Sequence, residues 1–145
     1  MSLSNFHFST KDIEYSVFIA TGILILAVLL TLLINRKYRL SYEQRWKDIQ
    51  KLLSKKTNWK SAIIKADNLL DEMLKKRHFK GKTMGERLVS AQHELSANDK
   101  VWFSHKLRNK LDNNDITLKR DDVKEGLLGF WLALKDLGAF KKDDK

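Results

Sequence analysis

The chain has 145 residues, 28 Lys and Arg against 18 Asp and Glu, a formal net charge of +10, and neither Pro nor Cys. A length of roughly 100–200 residues is one domain's worth. The missing Cys excludes a disulfide scaffold, a cysteine nucleophile and thiolate zinc or iron–sulfur sites, and the missing Pro fits long uninterrupted helices.

Residues 15–34 read YSVFIATGILILAVLLTLLI and carry no charge. Sixteen of the twenty are apolar, the exceptions being Ser16, Thr21, Gly22 and Thr31. At about 1.5 Å per residue such a helix is about 30 Å long, the thickness of a bilayer's hydrocarbon layer. A buried core helix rarely lacks charge over this length. A cleaved signal peptide has a basic start, a shorter apolar run and a small-residue cleavage site. Here Lys11, Asp12 and Glu14 precede the run and Asn35-Arg36-Lys37 follow it. We read residues 15–35 as a retained, single-pass transmembrane helix and residues 1–14 as an extracytoplasmic tail. Arg36, Lys37 and Arg39 flank the C-terminal end. The positive-inside rule then predicts a plasma (inner) membrane protein with its N-terminus outside and its C-terminal domain cytoplasmic. Tyr15 and Tyr38 bracket the span, and Leu at position 26 leaves Gly22 without a GxxxG partner.

Residues 36–57 read as a basic juxtamembrane amphipathic helix, with Tyr42, Trp46, Ile49, Leu52 and Leu53 at helical spacing. It either lies on anionic lipid or docks its apolar stripe on the following domain. Residues 58–77 have the strongest periodicity: Trp59, Ala62, Ile63, Ala66, Leu69, Leu70, Met73 and Leu74 follow i, i+3, i+4, i+7. Thr57 or Asn58 is available as a cap, and Lys75, Lys76 and Arg77 suit the helix's negative end. Gly81 marks a turn. Thr83 and Glu86 form the T-x-x-E signature of a capping box, opening a helix expected to run through Leu88, Val89 and Leu95.

Residues 96–99 are a second cap cluster. A helix over about 99–111 carries Val101, Trp102, Phe103, His105, Leu107, Arg108 and Asn109, and residues 112–115 are a turn by composition. The last helix, about 119–137, presents Val123, Leu127, Phe130, Trp131, Leu134 and Leu137. Gly126 and Gly129 allow a close neighbour, Gly138 is a natural C-cap, and residues 139–145 are a charged tail. Nothing alternates with period two. The connections are short, which makes successive helices antiparallel neighbours. The fold class is therefore all-α: one N-terminal transmembrane helix, then a small antiparallel four- to five-helix bundle over residues 58–138.

Chemistry is sparse. The chain has no phosphate-binding glycine loop, no dinucleotide fingerprint, no H-E-x-x-H and no EF-hand loop. The histidines, at 7, 78, 93 and 105, have no mutual ligand spacing, so neither a metal nor a cofactor is expected. Ser104 and His105 are adjacent on a helix and do not face each other. One polar constellation remains: His105, Arg108 and Asn109 at i, i+3 and i+4, with Trp102 a turn earlier and Asn113 and Asn114 just beyond. Either these side chains tie the helix to its neighbours or to a second subunit, or they form a binding site.

The run W102-F-S-H105-K-L-R108-N109-K-L-D-N113 resembles the R-N-x-x-x-H region of HEPN-type helical domains. More narrowly, the ordered set Ala66-Asp67, Leu70-Asp71, Gly81, Thr83 to Leu88, Trp102, His105, Arg108-Asn109 and Leu137-Gly138 is similar to a pattern in small bacterial helical proteins. It covers about residues 58–138. The resemblance implies an antiparallel bundle, often dimeric, and in active members a metal-independent ribonuclease. By position Arg108 takes the motif arginine and Asn109 the polar residue after it. The motif histidine falls at Asn113, and asparagine has no titratable group to act as general acid or base. His105 precedes Arg108, on the wrong side for the motif, and serves only if a dimer brings it across. The resemblance thus implies the fold and argues against its usual chemistry.

Basic clusters recur at 36–39, 75–77, 80–82, 106–110 and 119–120, spread along the sequence. RNA binding asks for basic residues interleaved with exposed aromatics, whereas Trp59, Trp102 and Trp131 fall on apolar faces. The expected function is a membrane-anchored, non-catalytic helical interaction or dimerisation module. Its partners are the lipid bilayer and a second copy or a protein bound through the bundle. The alternative is a membrane-tethered ribonuclease or RNA-binding module that uses Arg108, Asn109 and His105.

Overall fold

The computed structural model describes residues 10–112 and 117–141, so the expectations placed on His7, Asn113 and Asn114 lie outside the described residues. Five α-helices follow in order: α1 (Thr10–Leu52), α2 (Trp59–Lys76), α3 (Met84–Ala91), α4 (Asn98–Asp112) and α5 (Arg120–Asp136). A 3-10 turn, Lys56–Asn58, precedes α2. Among the described residues there is no strand. The chain divides into two units between Lys37 and Tyr38.

In the first unit every described side chain from Ile13 to Lys37 is exposed. The helix is apolar on all sides rather than along one stripe, and it is long and apolar enough to cross a membrane. Its hydroxyls make no demand on a partner. Ser16 Oγ donates to the Ile13 carbonyl at 2.7 Å, Thr21 Oγ1 to Val17 at 2.8 Å and Thr31 Oγ1 to Ala27 at 2.8 Å. A backbone bonded within its own helix, with hydroxyls turned back onto it, is what a hydrocarbon environment requires.

The second unit is built on α2. Ala62, Ile63, Ala66, Leu69, Leu70 and Leu74 are fully buried, as the sequence periodicity demands. Each large aliphatic buried here contributes about 1.5–3 kcal/mol relative to exposure. The C-terminal part of α1 joins this core through Tyr42, Trp46 and Ile49. Arg45 reaches Glu72, while Lys76 Nζ sits 3.6 Å above the Tyr38 ring and 5.7 Å from that of Tyr42. Rising numbers on α1 meet falling numbers on α2, so the two run antiparallel. Residues 41–52 thus dock on the bundle.

Helices α4 and α5 form the closest pair and both pack on α2, with α3 lying against α2. Their antiparallel sense follows from the matched positions: Ser96 bonds Asp136, and Gly129 faces Lys100 and Ser104, while Gly126 faces Leu107. A Cβ on Gly129 would lie 2.2 Å from Ser104 Oγ and 2.3 Å from the Lys100 carbonyl oxygen. The close approach expected at Gly126 and Gly129 is therefore present.

The helix ends carry the local chemistry. Thr83 Oγ1 accepts from the Glu86 amide at 3.2 Å, and the Glu86 carboxylate reaches back to the Lys82 amide at 2.7 Å, one residue before the cap. Asn58 occupies the start of α2 without a side-chain bond. Helix α3 stops at Ala91, short of the Leu95 expected from the sequence. Asn98 Nδ2 bonds the Gln92 and Leu95 carbonyls at 2.8 and 3.1 Å, so a side chain replaces the next helical turn. At the end of α5 the Gly138 amide bonds Lys135 and the Ala139 amide bonds Leu134, with Gly138 at φ +81°. The same paired bonds close α2 from His78 and Phe79, where His78 takes φ +60° without being glycine.

Candidate functional site

Three elements meet at a groove of about 550 Å³, lined by residues of α2, the start of α3, and α4. Helix α2 supplies Asp67 and Asp71, four residues apart and so on one face. Helix α3 supplies Arg87, which is buried. From α4 come His105, Arg108 and Asn109, spaced as the sequence placed them. Trp102 is half-buried and set edge-on to His105, ring centroids 6.2 Å apart.

Asp67 is the hub. Its side chain is 6 % exposed, and its Oδ1 lies 2.9 Å from His105 Nδ1 while Oδ2 lies 3.3 Å from Arg108 Nε. The Arg108 contact is an ion pair without hydrogen-bond geometry. Arg108 also pairs with Asp112 one turn on. The Asn109 amide nitrogen lies 3.3 Å from His105 Nε2. An amide nitrogen only donates, so the assignment that satisfies both imidazole nitrogens is Nδ1–H donating to Asp67 and Nε2 accepting from Asn109. Both imidazole nitrogens are then occupied by the protein itself.

Beside this network Arg87 grips Asp71 through Nε at 2.8 Å and Nη2 at 2.5 Å, and its Nη1 donates to the Gly81 carbonyl at 2.8 Å. Gly81 has φ +148°, and a Cβ there would lie 2.7 Å from the Arg87 amide, so only glycine brings this carbonyl so near. Burial pushes the Asp71 carboxyl up, but hydrogen bonds from Lys75 and Arg87 outweigh it and hold the group below the ordinary carboxylate range.

The structure brings together Trp102, His105, Arg108 and Asn109. Arg36 and Lys37 are exposed and Arg39 half-exposed, all on α1 and none part of the groove. Sequence reasoning did not single out Asp67, Asp71 and Arg87 as site residues. Their signal was two carboxylates, four apart, bordering an apolar stripe. Asp67, Asp71, Arg87, His105 and Arg108 all line this one groove. Among the described residues no group of three or more His, Asp or Glu is placed to hold a metal ion. No family model, curated protein or solved structure matches the chain.

Proposed function

We propose that this chain is a membrane-anchored, non-catalytic helical interaction module. In this reading the apolar part of α1 crosses the plasma (inner) membrane once, the N-terminus is outside, and the HEPN-like bundle meets a protein partner or a second copy in the cytoplasm. The observation that carries the non-catalytic reading is that the imidazole and both arginines of the groove already face partners within the protein. His105 is engaged at both nitrogens, Arg108 faces Asp67 and Asp112, and Arg87 faces Asp71. A general base needs a free lone pair and a phosphate-binding arginine needs uncompensated charge. The position of the motif histidine is Asn113, which supplies neither.

A ribonuclease reading has one supporting observation. Asp67 on Nδ1 orients the His105 ring with Nε2 away from it, the arrangement by which a carboxylate tunes a catalytic imidazole. Full-length chain in detergent, incubated with single-stranded RNA beside Arg108→Ala and His105→Ala, separates the two. The expected result is no cleavage above buffer in any sample. Cleavage that disappears in both variants would overturn the non-catalytic reading.

A further inference from the structure

Arg45, Lys75, Arg77, Arg87 and Arg108 each face a carboxylate. Lys76, the last residue of α2, faces two aromatic rings instead. Its Nζ lies 3.6 Å from the centroid of the Tyr38 ring and 5.7 Å from that of Tyr42. The ammonium makes no ion pair or hydrogen bond with a described residue. Glu72, one turn earlier on α2, is gripped by Arg45 through bonds of 2.5 and 2.8 Å, and Glu43 on α1 accepts from the Lys141 amide at 3.1 Å. Desolvation lowers the Lys76 ammonium below the ordinary lysine range, and no charged neighbour acts on it. Burial, with Glu72 adding to it, pushes the Tyr42 hydroxyl up, so that ring supplies no anionic oxygen. A ring face attracts an ammonium but offers no lone pair to its three N–H donors. The oxygen of an anion would supply both the lone pair and the missing counter-charge.

We infer that Lys76 and Tyr38 together hold the phosphate of an anionic phospholipid. Lys76 provides a point charge suited to a phosphodiester. The exposed Tyr38, whose hydroxyl has no bond within the described residues, provides a second donor. The inference rests on the reading of residues 15–35 as a membrane anchor. Tyr38 is the first residue of the second unit and lies four residues past Ile34, where the uncharged run ends. Four residues are about 6 Å along a helix, and the polar layer on each side of a bilayer's hydrocarbon is about 5–7 Å thick. Tyr38 then stands at headgroup depth, where interfacial tyrosines settle. Lys76 is carried to the same level from α2 by the antiparallel packing of α2 on Tyr38 and Tyr42. The site therefore joins two residues 38 apart in the sequence, one from the chain's exit and one from the bundle.

The test reconstitutes the full chain in nanodiscs of equal phosphatidylcholine and phosphatidylglycerol. Native mass spectrometry of the chain released from the discs reads which lipid it keeps. Wild type, and Lys110→Gln at an exposed lysine of α4 as control, are expected to keep phosphatidylglycerol over phosphatidylcholine by about 5-fold or more. Lys76→Gln is expected to lower that ratio by about 5-fold, the effect of one lysine near an anionic surface. Lys76→Arg, which restores the charge, is expected to restore the ratio. Tyr38→Leu, which removes ring and hydroxyl, is expected to lower it by about 3-fold. A wild-type ratio near one, an unchanged ratio in Lys76→Gln or Tyr38→Leu, an equal fall in Lys110→Gln, or no recovery in Lys76→Arg overturns the proposal. Retention of inorganic phosphate or oligouridylate in discs of phosphatidylcholine alone, lost in Lys76→Gln, overturns the lipid source in favour of a free anion or RNA. A chain that fails to co-elute with discs overturns the anchor reading and the lipid site together. A chain that co-elutes but keeps both lipids equally overturns the lipid site alone.

Discussion

Arg87 carries a guanidinium on a side chain only 7 % exposed, and its sole charged partner among the described residues is Asp71. Removing one member of such a pair strands a buried charge. Asp71→Asn is therefore expected to destabilise the second unit by about 3 kcal/mol, measured by thermal melting of the full chain in detergent. The same pair sets an acid sensitivity. Because the folded Asp71 carboxyl is held below its unfolded value, its stabilisation is complete above about pH 4 and is lost as pH falls through the folded value. The wild-type melting temperature should drop below pH 4, and Asp71→Asn should flatten that part of the profile. Glu72, held low by the hydrogen bond from Arg45, acts in the same direction but is half-exposed, so its share is smaller.

Helix packing turns on single atoms at the α4–α5 crossing. At Gly129 an added methyl meets backbone and a buried hydroxyl, which cannot rotate away, so Gly129→Ala should cost about 2 kcal/mol or more. At Gly126 the neighbours are the far ends of Leu107 and Ile63, at 2.8 and 3.1 Å. These can shift, and alanine gains up to about 1 kcal/mol of helix propensity, so Gly126→Ala should remain within about 1 kcal/mol of wild type. Paired melting curves decide between the two. At the end of α2, His78 takes a left-handed conformation that favours glycine. His78→Gly should raise stability by about 1 kcal/mol, and a lower melting temperature would show that the imidazole contributes something the backbone does not.

The first unit is a helix apolar on every side and long enough to cross a membrane. If the apolar part resides in lipid, two charges at its centre are poorly tolerated, since each Lys there costs about 2.5–3.5 kcal/mol. The double substitution Ile25→Lys/Leu29→Lys should move the chain from the carbonate-resistant membrane pellet to the soluble or aggregated fraction, while a control, Lys47→Gln, should leave it in the pellet. Orientation is read in intact cells with a membrane-impermeant maleimide: Lys11→Cys should label, and Lys141→Cys should not.

The helices are legible locally, because a helix writes its own periodicity and caps into neighbouring residues. The α2 stripe from Ala62 to Leu74, the Thr83 cap, the close-packing glycines and the uncharged run over residues 15–34 were all legible from spacing and residue type. So was the shared face of His105, Arg108 and Asn109. What a local pattern does not encode is which carboxylate a cation meets across helices. The pairing of Asp67 with His105 and of Asp71 with Arg87 depends on α2, α3 and α4 crossing at one place. The stop of α3 at Ala91 likewise depends on Asn98, seven residues on. Charges scattered in sequence became partners only through tertiary contacts, since Coulomb interactions act through space rather than along the chain.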